Sequence, residues 1–247
     1  MAVTAPKSTI VLVTGANQGL GYEMSKKLGK EYDGYHVIMT GRRADALEDA
    51  AKELQSLGCS VEPLLMDVTS DEAITQAAAA VDEKYGRLDV LINNVGINPG
   101  VATPTRDLWR RILETNVISV HRVTEAFLPL LRKSKASCKR IVFVSTSLGS
   151  LGDKLNPEGP YRKLDVRIYR SSKAALNMLA ASYVVDFEDD PTWKINVDDP
   201  GYCGTSFNNY SGPDTPENGA LNACRLATLG PDGETGTFSN RRGSVAW

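Results

Sequence analysis

Thr14-Gly15-Ala16-Asn17-Gln18-Gly19-Leu20-Gly21 joins an apolar, β-branched run, Thr9–Thr14, to a stretch with helical spacing, Tyr22–Tyr32. Glycines let a backbone turn sharply and pass close to a bulky anion. The helix that follows presents unpaired N–H groups and a partial positive charge. The spacing G-x-x-x-G-x-G differs from the commoner G-x-G-x-x-G but meets the same requirement. At the first strand-to-helix crossover it stands where an open α/β sheet binds a dinucleotide pyrophosphate. Gly15, Asn17, Gln18, Gly19, Leu20 and Gly21 are therefore candidate cofactor-binding residues.

Outward from this turn the alternation repeats. Apolar runs at Tyr35–Thr40, Val61–Met66, Leu88–Asn93, Arg140–Ser145 and Lys194–Val197 are separated by helical stretches. These are Ala44–Leu57, Asp71–Tyr85, Asp107–Lys133 and Tyr169–Phe187. The pattern predicts a doubly wound, Rossmann-like α/β fold, a parallel sheet of about seven strands with helices on both faces. Continuous apolarity in Ile10–Val13 and Val90–Ile92 suits strands buried on both sides. No repeat or flexible linker divides the chain, so residues 1–247 read as one domain. Leu148–Asp165, with three glycines and two prolines, lacks periodicity and is expected to be a long functional or mobile loop.

Composition narrows the function. Apolar content of 42% and charged content of 23% are ordinary for a globular protein. A net charge of −2 gives no electrostatic footprint for nucleic acid or an anionic membrane. Met1–Ser8 lacks a long apolar core, and Thr9–Val13 is too short to span a bilayer, so a cytoplasmic location is expected. Cys59, Cys138, Cys203 and Cys224 are widely spaced and read as free thiols. With only His36 and His121, a His-based metal site or a Ser-His-Asp triad has almost no material, and no metal is expected.

The end of the second strand bears on cofactor choice. An acidic residue about 20 positions past the last glycine would bind the ribose 2′-hydroxyl of NAD. That position is Gly41, followed by Arg42 and Arg43. A guanidinium without a carboxylate accommodates a 2′-phosphate, so NADPH is expected over NADH. Further on, Tyr169 and Lys173 stand four residues apart, on one face of a helix. The ammonium is expected to favour the phenolate and lower the tyrosine pKa, making a general acid/base.

Read together, Thr14–Gly21, Met66-Asp67-Val68, Asn93-Asn94-Val95-Gly96, Thr115-Asn116-Val117, Tyr169–Lys173 and Pro200-Gly201 resemble the short-chain dehydrogenase/reductase family. The resemblance runs from about Thr9 to the C-terminus. Val197–Cys203 and the tail from Thr235 to Trp247 are similar to its carbonyl-reductase-like branch. It implies that Asp67 and Val68 meet adenine, and that Asn93 and Gly96 line the turn along the cofactor. It implies that Asn116 holds a helix kink and a water linked to the lysine. By the same resemblance Tyr169 is the acid/base, Lys173 grips the nicotinamide ribose, and Pro200, Gly201, Tyr202 and Thr205 close over the nicotinamide.

Three positions depart from the family pattern. Val95 replaces the usual alanine, and Gln18 stands where many NADPH-using relatives carry Lys or Arg. Thr146 stands where the substrate-orienting serine is expected, with Ser147 as the alternative if the strand bulges. Asn116, Thr146, Tyr169 and Lys173 are the candidate catalytic group, and Ser147, Tyr202 and Phe207 the candidate pocket. The implied activity is NADPH-dependent reduction of a ketone or aldehyde carbonyl on a small substrate. Alcohol oxidation, imine reduction and a catalytically weak nucleotide-binding scaffold are the alternatives. Thr146 and Tyr169 are 23 positions apart, against roughly 13 in the family. By resemblance the extra chain can cover a tetramer surface, which leaves monomer or homo-oligomer open.

Overall fold

The structure, a computed structural model, describes residues 8–98, 100 and 105–247. Most of the segment Met1–Ser8, read above for targeting, lies outside them. Its elements are β1 (Thr9–Val13), α1 (Gly19–Glu31), β2 (Tyr35–Gly41), α2 (Ala44–Ser56), β3 (Val61–Leu65), α3 (Asp71–Tyr85), β4 (Val90–Asn93) and α4 (Arg106–Leu113). There follow α5 (Ser119–Arg132), β5 (Lys139–Val144), α6 (Leu151–Leu155), α7 (Arg167–Asp186), β6 (Trp193–Asp198), α8 (Pro216–Ala227), β7 (Phe238–Asn240) and β8 (Gly243–Ser244).

The strands form one sheet in the order β3-β2-β1-β4-β5-β6-β7-β8. β1 through β7 run parallel, as expected, and the two-residue β8 adds an antiparallel edge. β1 pairs with both β2 and β4, so consecutive crossovers leave it in opposite directions. That reversal opens a crevice at the carboxyl ends of β1 and β4.

Alternation along each buried strand sends side chains to two cores. Ile10, Leu12, Leu91, Ile141 and Phe143 pack under α3, α5 and α7. Val11, Val13, Val90, Ile92 and Val142 pack under α1, α2 and α8. Each fully buried aliphatic side chain contributes roughly 1.5–3 kcal/mol, so the strand centres are the least adjustable part of the molecule. The four cysteines are buried and unpaired. Among the described residues no helix is long and apolar enough to cross a membrane.

Two expectations are corrected. The stretch Asp107–Lys133 is not one helix, because a π-helical turn, Glu114–Ile118, separates α4 from α5. Leu148–Asp165 is not wholly loop, since it contains α6, N-capped by Ser150 Oγ accepting from Asp153 N–H at 3.0 Å. The segment is tied down at several points. Arg170 of α7 donates to Leu148 O at 3.1 Å and to Tyr161 O. Ser150 Oγ and Gly152 N–H donate to Trp247 O at 3.2 and 3.3 Å.

Candidate active site

The glycine turn is built as its composition demands. Gly15 and Gly19 have φ of +65° and +59°, the left-handed region that side chains resist. A Cβ on Gly15 would stand 2.8 Å from Val95 Cγ2, and one on Gly21 would stand 2.7 Å from Asn94 Nδ2. No side chain caps the start of α1 at Gln18, and its first turn carries no acid. Its N–H groups therefore face the crevice with the helix's positive end.

The turn is stitched to β4 from below. Thr14 Oγ1 accepts from Asn94 and Val95 N–H at 2.9 and 3.0 Å. The Asn94 amide donates to Thr14 O at 2.8 Å and Gly15 O at 3.2 Å. Asn94 was absent from the sequence-derived site residues, although its neighbour Asn93 was among them. The Asn93 amide in fact turns into the core, donating to Thr124 Oγ1 at 3.0 Å.

Around this cradle, Arg42 and Arg43 are exposed at the end of β2, and Arg43 donates to Gln18 Oε1 at 3.5 Å. Asn17 Oδ1 lies close to Gly41. Asp67 accepts from Thr69 N–H and Oγ1 at 3.0 and 2.8 Å, beside the buried Val68. On the far side, Thr205 packs against Gly19, so the chain after β6 closes onto the start of α1. Pro200 leads into Gly201, whose φ of +79° reverses the chain. Tyr202 and Phe207 are half-exposed, and the Tyr202 hydroxyl lies 2.6 Å from Ser211 Oγ.

A buried polar cluster completes the crevice. Tyr169 and Lys173 lie on α7 and are 7% and 3% exposed. Asn116 sits within the π turn, which aims its side chain out of the helix's regular ladder. Asn116 Oδ1 accepts from Ile97 N–H at 2.8 Å, and its Nδ2 donates to Ile97 O and Ser172 Oγ at 2.9 and 3.0 Å. Ser172 Oγ in turn donates to Tyr169 O at 2.8 Å. A Cβ on Gly96 would lie 3.5 Å from Lys173 Nζ and 3.7 Å from Asn116 Oδ1, so these three residues converge. Gly149 presses its backbone against α7, where a Cβ would fall 2.9 Å from Lys173 Cβ. Gly149 ends the short turn Ser147–Gly149, and Thr146, just before it, accepts from Leu148 N–H through Oγ1 at 3.2 Å.

Electrostatics in the cluster run against the expected direction for Tyr169. Burial, with the Asp199 carboxylate adding to it, pushes the phenol above its ordinary value. The Lys173 ammonium is spent elsewhere, donating to Val144 O at 2.8 Å and lying 6.0 Å from the Tyr169 ring centroid. Burial pushes Lys173 down to about 8, partly opposed by Asp198. Phe207 covers the phenol ring at 5.8 Å between centroids. The surroundings of Tyr169 therefore favour the neutral phenol over the phenolate.

The histidines lie outside this cluster. His36 Nδ1 is 2.9 Å from Ser60 Oγ near the amino end of β2, and His121 Nδ1 is 2.8 Å from the Tyr183 hydroxyl.

Fold and site together place the protein among Rossmann-type oxidoreductases. The family model described as short chain dehydrogenase matches residues 9–216. The chain belongs to the short-chain dehydrogenase/reductase family, enzymes that interconvert CH–OH and C=O groups. It is 40% identical over 235 residues to the short-chain dehydrogenase anuI of Penicillium roqueforti, covering 93% of this chain and 91% of the relative. The NADPH-bound carbonyl reductase from chicken fatty liver superposes with a TM-score of 0.84 at 28% identity, over 98% of this chain and 100% of that one. The carbonyl reductase Sniffer of D. melanogaster gives 0.81 at 28% identity, over 97% and 100%.

Proposed function

We propose that the protein is an NADPH-dependent carbonyl reductase acting on a ketone or aldehyde of a small organic substrate. The observation that carries this reading is the convergence of the buried Tyr169, Lys173 and Asn116, linked through Ser172 and gathered around Gly96, next to the glycine turn. The crevice fits the cofactor. A side chain on Gly15 or Gly21 would collide with Val95 or Asn94 and spread the turn, and the α1 terminus is uncapped. Gly15, Asn17, Gln18, Gly19, Leu20 and Gly21 would hold the pyrophosphate, and Arg42 the 2′-phosphate with Arg43 beside it. Asp67, Val68 and the Asn93–Gly96 turn would line the adenine and ribose side. Lys173, Pro200, Gly201, Tyr202 and Thr205 would hold the nicotinamide end.

NADPH, when bound, supplies the hydride. Tyr169 and Thr146 donate hydrogen bonds to the carbonyl oxygen, where negative charge develops. Tyr169 then transfers its proton to that oxygen. Lys173 and Asn116 hold the path by which the phenol is reprotonated. Phe207 and Tyr202 shield the site from water. The NADPH-bound chicken reductase and the Sniffer carbonyl reductase, similar along nearly the whole chain, support this reading.

Tyr169→Phe tests it. The variant is expected to lose at least about a hundredfold in turnover, within the range of a lost general acid, while NADPH still binds by fluorescence titration. Turnover within a few-fold of the parent removes the assignment. Arg42→Ala is expected to raise the NADPH KM by about tenfold or more, the worth of one charge-assisted bond. An NADH preference in the parent, left unchanged by the substitution, would overturn the cofactor choice.

A further inference from the structure

At the far edge of the sheet, β7 and β8 form a hairpin in which Asn240 pairs with Gly243, so Arg241 and Arg242 make its tip. Two-residue hairpin turns favour Asn-Gly or Asp-Gly, whose left-handed backbone matches the twist of the strands. Neither arginine has a positive φ, so backbone preference does not account for this pair. Both line a cleft of about 690 Å³ between the hairpin and α8. Small organic molecules bind in concave sites of this size. None of its lining residues belongs to the cofactor crevice described above.

A polar network is already built into the cleft. Asn222 and Ser239 are 2% and 6% exposed. The Asn222 amide donates to Asp198 Oδ1 at 2.8 Å and to Ser239 O at 2.9 Å. Arg225 of α8 commits its guanidinium to the same network. Its Nε donates to Asn222 Oδ1 at 2.9 Å, its Nη2 to Ser239 Oγ at 3.1 Å and its Nη1 to Glu234 Oε1 at 2.6 Å. Glu234, the one carboxylate among the described lining residues, is thereby neutralised. Asp198, hydrogen-bonded to Asn222, is pushed up to about 8 by burial and adds little negative charge at neutral pH.

The charge that remains is positive. Arg242 forms no ion pair of its own among the described residues, although its charge also acts on Asp214. Arg241 has a single one, with Asp214 at 2.5 Å. Two adjacent guanidiniums supply the forked donors that oxyanions accept from. Asp214 in turn connects this edge to the active site. Its carboxylate accepts from Thr215 N–H at 2.9 Å and from Asn218 Nδ2 at 2.8 Å. Its own N–H donates to Tyr202 O at 3.3 Å, and its carbonyl accepts from Gly204 N–H at 2.8 Å. Asp214 therefore closes the base of loop 201–214, which lays Phe207 against the Tyr169 ring.

We propose that the cleft between α8 and the β7–β8 hairpin binds a small organic polyanion through Arg241 and Arg242, and that this ligand competes with Asp214 for Arg241 and loosens the loop over Tyr169. Two guanidiniums call for at least two anionic oxygens, and the size of the cleft calls for a molecule larger than bare phosphate. Polycarboxylates and phosphate esters share that chemistry. Binding here goes beyond the carbonyl-reductase reading and does not depend on it.

Citrate and glycerol 3-phosphate are the probes, titrated by calorimetry into the full chain saturated with NADPH, at constant ionic strength. At least one is expected to bind, and the tighter of the two tells a polycarboxylate from a phosphate ester. Arg242→Ala is expected to weaken that binding about tenfold, the worth of one charge-assisted bond. Arg242→Lys is expected to restore part of it, and Arg42→Ala, in the cofactor crevice, to leave it unchanged. Asp214→Asn keeps an acceptor for Thr215 and Asn218 and is expected to tighten binding by up to about fivefold, the range of one partly exposed ion pair. By the same coupling, the bound probe is expected to speed hydrogen exchange at the Gly204 and Asp214 amides by up to about fivefold.

Failure of both probes to bind at millimolar concentration overturns the site; a dimer in light scattering would then name a second copy as what covers this edge. Binding lost in Arg42→Ala and kept in Arg242→Ala overturns it too, by placing the anion in the cofactor crevice. Unchanged exchange together with unchanged affinity in Asp214→Asn overturns the coupling to the loop. Arg242 is exposed at the turn tip, so its variants carry the decision should Asp214→Asn fail to fold. Retained turnover in Tyr169→Phe would sink the reductase reading and leave this site standing.

Discussion

Tyr169 and Lys173 stand one helical turn apart, and burial pushes both toward their neutral forms. The i, i+4 spacing was legible in the sequence because side-chain direction on a helix is local. The direction of the tyrosine shift was not, because it depends on the covering Phe207 and on Asp199, contributed by chain 30 or more positions away. Asp198, fully buried at the end of β6, shows the same effect in a form that stability can report. Its carboxyl is pushed up to about 8 from 3.8 by burial, against the hydrogen bond from Asn222. The folded chain therefore keeps a proton here that the unfolded chain releases. The stability it contributes is complete below about pH 4 and is lost as pH rises toward about 8. Asp198→Asn is expected to flatten the fall of Tm between roughly pH 5 and 8, leaving the variant relatively more stable at the upper end. A Tm–pH curve parallel to that of the parent would contradict this.

Among the elements, the strand–turn–helix at Thr9–Glu31 was the most legible, since its glycines, apolar run and helix start follow one another in the chain. The π turn around Asn116 was not legible, because a one-residue insertion leaves helical periodicity almost intact. Nor was the role of Asn94 and Gly149, whose partners Thr14 and Lys173 lie far off in sequence. Gly149 gives a direct test of that long-range fit. Gly149→Ala would drive a methyl into the α7 backbone and is expected to cost about 1–3 kcal/mol of stability, as overpacking does. Denaturant melts would measure it, and a neutral effect would mean that α7 yields easily. Ser70, whose hydroxyl accepts from Ala73 N–H at 3.2 Å to cap α3, lies on an unrelated element. Ser70→Ala should cost about 1 kcal/mol, with kcat unaltered.

Across the whole molecule, residues remote in sequence are made neighbours by the sheet order. The C-terminal Trp247 packs against Phe238 with its ring tilted by 53° at 5.6 Å between centroids, and its carbonyl receives the hydrogen bonds of Ser150 and Gly152. Deleting Ala246 and Trp247 is therefore expected to speed hydrogen exchange across α6 while leaving β1 and β4 protected. Unchanged exchange at α6 would show that Arg170 alone secures it. The burial of all four cysteines has its own consequence at this scale. Burial pushes the Cys203 thiol up to about 11 and Cys224 up to about 12, and raises Cys59 as well. Thiols so far from the thiolate form are poor nucleophiles. The protein's working lifetime among electrophiles would be set by local unfolding rather than by exposed sulfur.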